Sequence, residues 1–342
     1  MNIEDDPSVE VIRAAIELVT SFEKHKVFDR LRLLMSEEAA TKVREQFASE
    51  QRWLTPFDWP FLHEASQKLN SILSDNWLYP YGPRKYRDQL NYIKSLWNFV
   101  ALDGMRALDF GSGHTAPHLM STFLYINGAT TSFSVEPLPI ADEADAARMV
   151  LHFLLLALQD PKAWTVGRSD PSRLVERAAQ FDLSNLSSGR LAGSFDRTGV
   201  DYRNGLAEQY DNISDLDLIY SIAVFEHIMK LDEVFSMLIG KLKPGGHMCH
   251  VIDFSDHNFH AGLTPLRWAY MTPGGGDGNG INRVRLSRMV EIMRRSGLEI
   301  LHIDRWKSES SKQIRGNLLP EYENLSDEDL ETYTATIIAR KM

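Results

Sequence analysis

Met105-Arg-Ala-Leu-Asp-Phe-Gly-Ser-Gly-His-Thr115 decides the reading of this 342-residue chain. A short apolar run ends in an acid, Asp109, and passes straight into a glycine turn. Gly111 and Gly113 carry no β-carbon, so the turn can be tight, and Ser112 and its neighbours can present backbone N–H groups to a ligand. A second apolar run, Thr131-Ser-Phe-Ser-Val-Glu136, follows after a helix-length gap and also ends in an acid. At the tip of the second strand of a doubly wound sheet, an acid is placed to hold a ribose diol. Together the two features point to a nucleoside-containing cofactor.

Working outward, the chain alternates strand and helix. Leu90, Ile93, Trp97 and Val100 form one helical stripe leading into the glycine-turn strand. A helix with Ala147, Val150, Leu151, Leu154 and Leu158 on one face follows Glu136, and then a polar, Ser-rich insertion over 160–195. Strands are expected near 199–203, 216–221, 247–254, 298–306 and 333–340, with helices over 232–242 and 287–296 and a capped turn at 326–329. Such alternation implies an α/β sheet with helices on both faces. Residues 1–80 read as a helical extension or cap, bounded by Leu78-Tyr-Pro-Tyr-Gly-Pro83, with the main domain over 81–342.

Composition excludes several classes. Hydrophobic residues make up 43% of the chain, enough for a sizeable core, and the net charge of −10 argues against a nucleic-acid partner. Cys249 is the single cysteine, so no intrachain disulfide can form, and a reducing, cytoplasmic setting is expected. The start Met1-Asn-Ile-Glu-Asp-Asp6 has the wrong sign for a secretory signal, and the longest apolar run is too short to span a bilayer.

Gly111-x-Gly113-x-x-Ala116 also fits a dinucleotide fingerprint, which keeps a nicotinamide oxidoreductase among the alternatives. Three further features separate the two. Asp109 lies two residues before the first glycine, where nicotinamide-binding strands usually run apolar. Leu216-Asp-Leu-Ile-Tyr-Ser-Ile-Ala-Val-Phe-Glu-His227 reads as a strand followed by a Glu-His pair, and Lys243-Pro-Gly-Gly246 precedes the next strand. This ordered set resembles the class I S-adenosylmethionine-dependent methyltransferases over roughly 85–342.

The resemblance implies a Rossmann-like, doubly wound, seven-stranded sheet whose last strand is antiparallel. It implies that Asp109, Gly111, Ser112 and Gly113 line the methionine and ribose part of S-adenosylmethionine, with S-adenosylhomocysteine as product. Glu136 would bind the ribose hydroxyls, and backbone near Ser221 the methionine amine. Leu206 and Ala207 would lie in the adenine loop. Leu206 stands where many relatives carry an acid for the adenine amino group, so Glu208 or a main-chain group would have to substitute.

Two clusters fall where acceptor chemistry would sit, at the C-terminal ends of the fourth and fifth strands. One is Glu226-His227; in related methyltransferases the Glu is often structural and the His faces the active site. The other is His250-Val-Ile-Asp-Phe-Ser-Asp-His257, with His260 close behind. Here His257 or His227 would act as general base, oriented by Asp256 or Asp253. Such acids and histidines also serve as caps or satisfied core groups. Asp253, Asp256, His257 and His260 are suitable donors for Mg or Mn, but no metal-site spacing is matched, so a divalent metal is possible without being predicted. Trp268 and Tyr270 could stack on an acceptor ring or pack over the sheet edge. Pro273 to Gly280 could be a lid or a disordered connection, and Asn282-Arg-Val-Arg285 could place a cation near an anionic acceptor. The stretch from His250 to the closing strand also resembles bacterial methyltransferases of surface-polysaccharide and glycan biosynthesis. That favours O-methylation of a saccharide hydroxyl. The alternatives are an N- or C-methyltransferase of a natural-product intermediate, or a cofactor-binding scaffold without catalysis; a homodimer is possible.

Overall fold

Seven strands form one sheet in the order β3-β2-β1-β4-β5-β7-β6. The computed structural model describes residues 90–309 and 313–342. In chain order the strands are β1 (Arg106–Phe110), β2 (Thr131–Glu136), β3 (Val200–Asn204), β4 (Leu216–Ile222), β5 (Leu242–Asp253), β6 (Leu298–Lys307) and β7 (Thr332–Lys341). The helices are α1 (Leu119–Ile126), α2 (Glu143–Gln159), α3 (Pro161–Trp164), α4 (Pro171–Ala178), α5 (Leu183–Ser187), α6 (Leu231–Lys241), α7 (His257–His260), α8 (Leu286–Arg295) and α9 (Asp327–Glu331). The extension expected over 1–80 lies outside the described residues.

β1 to β5 run parallel, and β7 pairs antiparallel with both β5 and β6. The sheet expected from the glycine turn and its resemblance is the one observed. Ala107, Leu108 and Asp109 in β1 are buried, as a central parallel strand with both faces covered requires. α1 carries the chain from β1 back to β2, and Ser121 Oγ on it donates to or accepts from Ser134 Oγ of β2 at 2.8 Å. The core on one face gathers Leu108, Phe133, Ile219, Phe225, Phe235 and Met289, drawing on strands β1, β2 and β4 and on helices α6 and α8.

Two compact units are distinguished among the described residues. Residues 142–164 and 175–198 belong to the first. There Asp142 caps α2 by accepting from Asp145 N–H, the Glu143 carboxylate accepts from Leu191 N–H at 3.0 Å, and Phe153 meets Trp164 edge to face. Residues 90–141, 165–174 and 199–342 form the second, which contains the sheet. Among the described residues no helix is long and apolar enough to cross a membrane.

Two local expectations differ from the structure. The stripe at 90–100 is not one regular helix: after a single turn it tightens into a 3-10 segment, Lys94–Asn98, which buries Ile93, Leu96 and Val100 but leaves Trp97 partly exposed. β5 also begins earlier than 247. Leu242 pairs with Leu216 and His247 with Leu218, so Lys243-Pro-Gly-Gly246 bulges within the strand instead of preceding it. Gly245 supplies the positive φ, +76°, that the bulge needs.

Candidate functional site

The glycine turn stands at the C-terminal end of β1, anchored to β2 by Gly111 N–H and Ser112 N–H, which donate to the Val135 carbonyl at 2.9 and 3.2 Å. Gly111 has φ +69°, and a β-carbon there would lie 2.6 Å from Val224 Cγ2. Gly113, at φ +81°, would meet no atom within 4 Å. Packing thus requires glycine at 111, whereas at 113 the positive φ alone favours it, beside open space. Gly113 N–H donates to Glu136 Oε2 at 2.9 Å and Leu138 N–H to Oε1 at 3.0 Å, which fixes the carboxylate at the tip of β2. Ser112 Oγ is shielded yet has no hydrogen-bond partner among the described residues. Asp109 is buried behind the turn, and burial, with the neighbouring Glu136 charge, raises its carboxyl well above the ordinary range.

These features fit a nucleoside cofactor. An open cradle beside Gly113, an unpartnered hydroxyl and a fixed carboxylate supply the donors and acceptors that a ribose and an amino-acid tail would use. Leu206 and Leu138 add exposed apolar side chains on adjoining loops, since Asn204 Nδ2 donates to the carbonyls of both Glu136 and Leu138. Ala207 is buried in the core, so its side chain packs and only its backbone is free to read a ligand; Glu208 is exposed. Ser221 Oγ is taken up by His250 Nδ1 at 2.8 Å. Ala223, just beyond β4, holds φ +53°, and its N–H donates to the Val251 carbonyl. A non-glycine residue in that region is strained by roughly 1–3 kcal/mol, a cost met most often at ligand sites.

Val224 passes directly into the Phe225–His227 turn, so the Glu-His pair is built against the glycine turn. Asn282 staples this turn: its Nδ2 donates to the carbonyls of Phe225 and Ile228 at 2.7 and 2.8 Å, and its N–H donates to that of Glu226. The glycine-rich segment at 273–280 is ordered around the same place. Gly280 O accepts from His227 Nδ1 at 3.3 Å, and Gly278 O from His257 N–H. A carbonyl only accepts, so Nδ1 of His227 carries a proton in this contact. The rings of His227 and His257 stand 4.8 Å apart, edge to face.

The acids behave differently from the expectation. Asp256 is fully buried and accepts from Asn258 N–H at 2.8 Å and from Tyr270 N–H at 3.1 Å, which makes it the cap of α7 and not an orienter of His257. Asp253 accepts from His260 Nε2 at 2.8 Å and from Ser255 N–H. Burial works against its charge, but the hydrogen bonds from His260 and Ser255 prevail and hold its carboxyl below the ordinary range. Burial, reinforced by the neighbouring His227, lowers His257, so a neutral imidazole is favoured there. Trp268 and Tyr270 pack in a buried cluster with Met271, Ile281 and Tyr322 and do not reach a ligand site. Arg285 is buried as well, and only Arg283 of the pair is exposed.

Sequence reading passed over Glu226 as a functional group. It is 3% exposed, and among the described residues neither carboxylate oxygen makes a hydrogen bond of full geometry, only weaker contacts from the backbone N–H groups of Glu226 and Asp253. Burial pushes its carboxyl up to about 8, the Asp253 charge adding to the rise while nearby backbone amides offset part of it. A group whose folded pKa lies above its unfolded value stabilises the fold at low pH and loses that contribution as pH rises. Glu226→Gln is therefore expected to gain about 3 kcal/mol on the native protein between pH 5.5 and 7.5, at about 1.4 kcal/mol per unit. Urea unfolding in chelator across that window measures it; a constant difference would refute the assignment. His250, buried beneath Phe225, is pushed down by burial to about 3 and stays neutral across the same window.

Comparison with known proteins agrees with this geometry. Residues 81–303, well over half of the chain, match a family described as a methyltransferase domain. No curated protein matches the chain. Among solved structures, it is similar to an S-adenosylmethionine-dependent methyltransferase from Mesorhizobium loti at 15% identity, covering 72% of this chain and 96% of that one, with a TM-score of 0.40. It is similar to phosphoethanolamine N-methyltransferase 2 of Haemonchus contortus, solved with S-adenosyl-L-methionine, at 14% identity over 81% and 58% of the two chains, with a TM-score of 0.37. The [4+2]-cyclase SpnF is similar at 16% identity over 73% and 79%, with a TM-score of 0.40. With a family match that takes in the glycine turn, Glu136 and the Glu-His turn, the chain belongs to the methyltransferase-domain family, and its cofactor is S-adenosylmethionine.

Proposed function

We propose that the acceptor is a hydroxyl of a small molecule, with a sugar or glycan precursor as the leading class. The observation that carries this reading is the His227–His257 pair set against the cofactor turn. A hydroxyl is a poor nucleophile until a base takes its proton, and imidazole is the side chain suited to do so near neutral pH. An acceptor that needed only positioning would have no use for two adjacent imidazoles.

S-adenosylmethionine, when bound, supplies a methyl group on a positively charged sulfur that leaves without acid assistance. Gly111, Ser112, Gly113 and Glu136 would hold it, with the exposed Leu138 and Leu206 available to its adenine. His257 would accept the proton of the acceptor hydroxyl as that oxygen takes up the methyl group, the sulfur of the donor keeping the electron pair of its broken bond. His227, fixed by Gly280, sets the position of the His257 ring. The Asp253–His260 pair beside them gives the proton a route to solvent.

His257→Ala is expected to lower turnover about 10²-fold, the low end for loss of a general base, with S-adenosylhomocysteine affinity changed less than threefold. The test is an acceptor screen that reads S-adenosylhomocysteine release from saccharides, nucleotide sugars, phenols and amines. Turnover confined to amines would replace this reading with N-methylation. Tight cofactor binding without turnover on any of them would leave a scaffold.

A further inference from the structure

We propose that Glu226, His227 and His257 form a binding site for one divalent first-row transition ion of the Zn2+ type. Each of the three offers one donor atom, and these atoms all lie within 4.8 Å of one another. Around a tetrahedral ion bound at ~2.1 Å, donors stand ~3.4 Å apart, so small side-chain rotations close the set. Two imidazole nitrogens and one carboxylate oxygen suit Zn2+, Fe2+ or Co2+ better than Mg2+ or Ca2+, which favour all-oxygen shells.

Three independent observations converge on this site. Glu226 is almost fully buried, and among the described residues neither oxygen makes a hydrogen bond of full geometry, a costly arrangement unless something else satisfies the carboxylate. His227 gives its Nδ1 proton to the Gly280 carbonyl, the outer contact that metal-bound histidines use to fix their tautomer. Asn282 and the 278–280 backbone brace both histidine-bearing segments. The neighbouring groups do not compete for the ion. Asp256 is committed to capping α7, and Asp253 is committed to His260. The site therefore differs from the Asp253, Asp256, His257 and His260 set that sequence alone suggests.

Three protein ligands leave coordination positions open, as in catalytic metal sites. Under the hydroxyl-acceptor reading of the preceding section, an acceptor oxygen would fill one of them and lose its proton more readily there; in the metal-loaded protein the lone pair of His257 is on the ion, so the proton passes to the Asp253–His260 pair instead of to His257. Metal binding itself does not depend on that reading.

The experiment uses the full chain, stripped with chelator and titrated with Co2+, whose visible absorption reports coordination. One saturable equivalent is expected, displaced by Zn2+ and not by millimolar Mg2+. His257→Ala and His227→Ala should each weaken Co2+ binding at least tenfold, while His302→Ala, on a surface pair with Asp304, should not. S-adenosylhomocysteine binding by each variant verifies folding, and the half-buried His257 carries the test if Glu226→Gln fails to fold. Absence of a saturable equivalent, or unchanged affinity in both histidine variants, would overturn the proposal. Metal binding without methyl transfer to any hydroxyl would leave the site standing and remove the acceptor reading; hydroxyl methylation by a protein that shows no saturable Co2+ equivalent would do the reverse.

Discussion

Gly111→Val is expected to weaken S-adenosylhomocysteine binding about 10³-fold, measured by calorimetric titration. A side chain at φ +69° costs about 1–2 kcal/mol, and more for a β-branched residue. The new β-carbon would also sit 2.6 Å from Val224 Cγ2, so either the turn or the segment after β4 must move. Moving the turn breaks the two N–H bonds to Val135 and displaces Gly113 from Glu136. A total near 4 kcal/mol corresponds to about a thousandfold in affinity. Gly104→Ala is the control: φ there is +79°, but the space is open, so a modest loss of stability without a change in affinity is expected. Undiminished binding by Gly111→Val would remove the glycine turn from the cofactor site.

Arg285→Leu is expected to cost about 3–5 kcal/mol of stability, because several buried acceptors lose their donor at about 1–3 kcal/mol each. Arg285 is 3% exposed, at the head of α8. Nη1 donates to the Phe254 carbonyl and the Tyr270 hydroxyl, both at 3.1 Å. Nη2 donates to the carbonyls of Asp329 and Thr332, the latter at 2.6 Å. One guanidinium thus ties the end of β5 to α9 and the start of β7, and its loss strands several buried carbonyls. Thermal unfolding should fall by about 10 °C, since each kcal/mol shifts a domain of this size by about 2–4 °C. Arg285→Lys should recover only part, because an ammonium cannot fork between the same acceptors. A shift under 2 °C for the leucine variant would refute the network.

The sheet was legible because its signals are local and periodic. Apolar runs capped by Asp109, Glu136 and the Gly111–Gly113 turn each declare a strand end within a few residues. The glycine turn was equally legible, since the positive φ at Gly111 and Gly113 leaves glycines in the sequence. The acceptor side was less so. Asp256 and Asp253 are both acids within four residues of His257 in sequence, yet one caps a helix and the other pairs with His260, a distinction set by where β5 ends. Glu226 looked like the structural half of a Glu-His pair, because nothing in a sequence reports that a buried carboxylate lacks donors. Arg285 resembled a ligand-facing cation for the same reason: burial among carbonyls 31 to 47 residues away leaves no local mark.

The placement of β7 bears on how the chain is made. It lies between β5 and β6, pairing with both, so residues 332–341 complete the interior of the sheet and not its border. While a ribosome still holds those residues, β5 and β6 have been synthesised but cannot reach their partner: β5, paired with β4 on one side, presents one open edge, and β6 has no strand beside it. Exposed strands of that kind invite pairing with other nascent chains. Synthesis therefore passes through an interval of aggregation risk that ends only when the final strand emerges and inserts. Chaperone capture during translation, or stalling just before residue 332, should decide the yield of this protein more strongly than the stability of its finished fold.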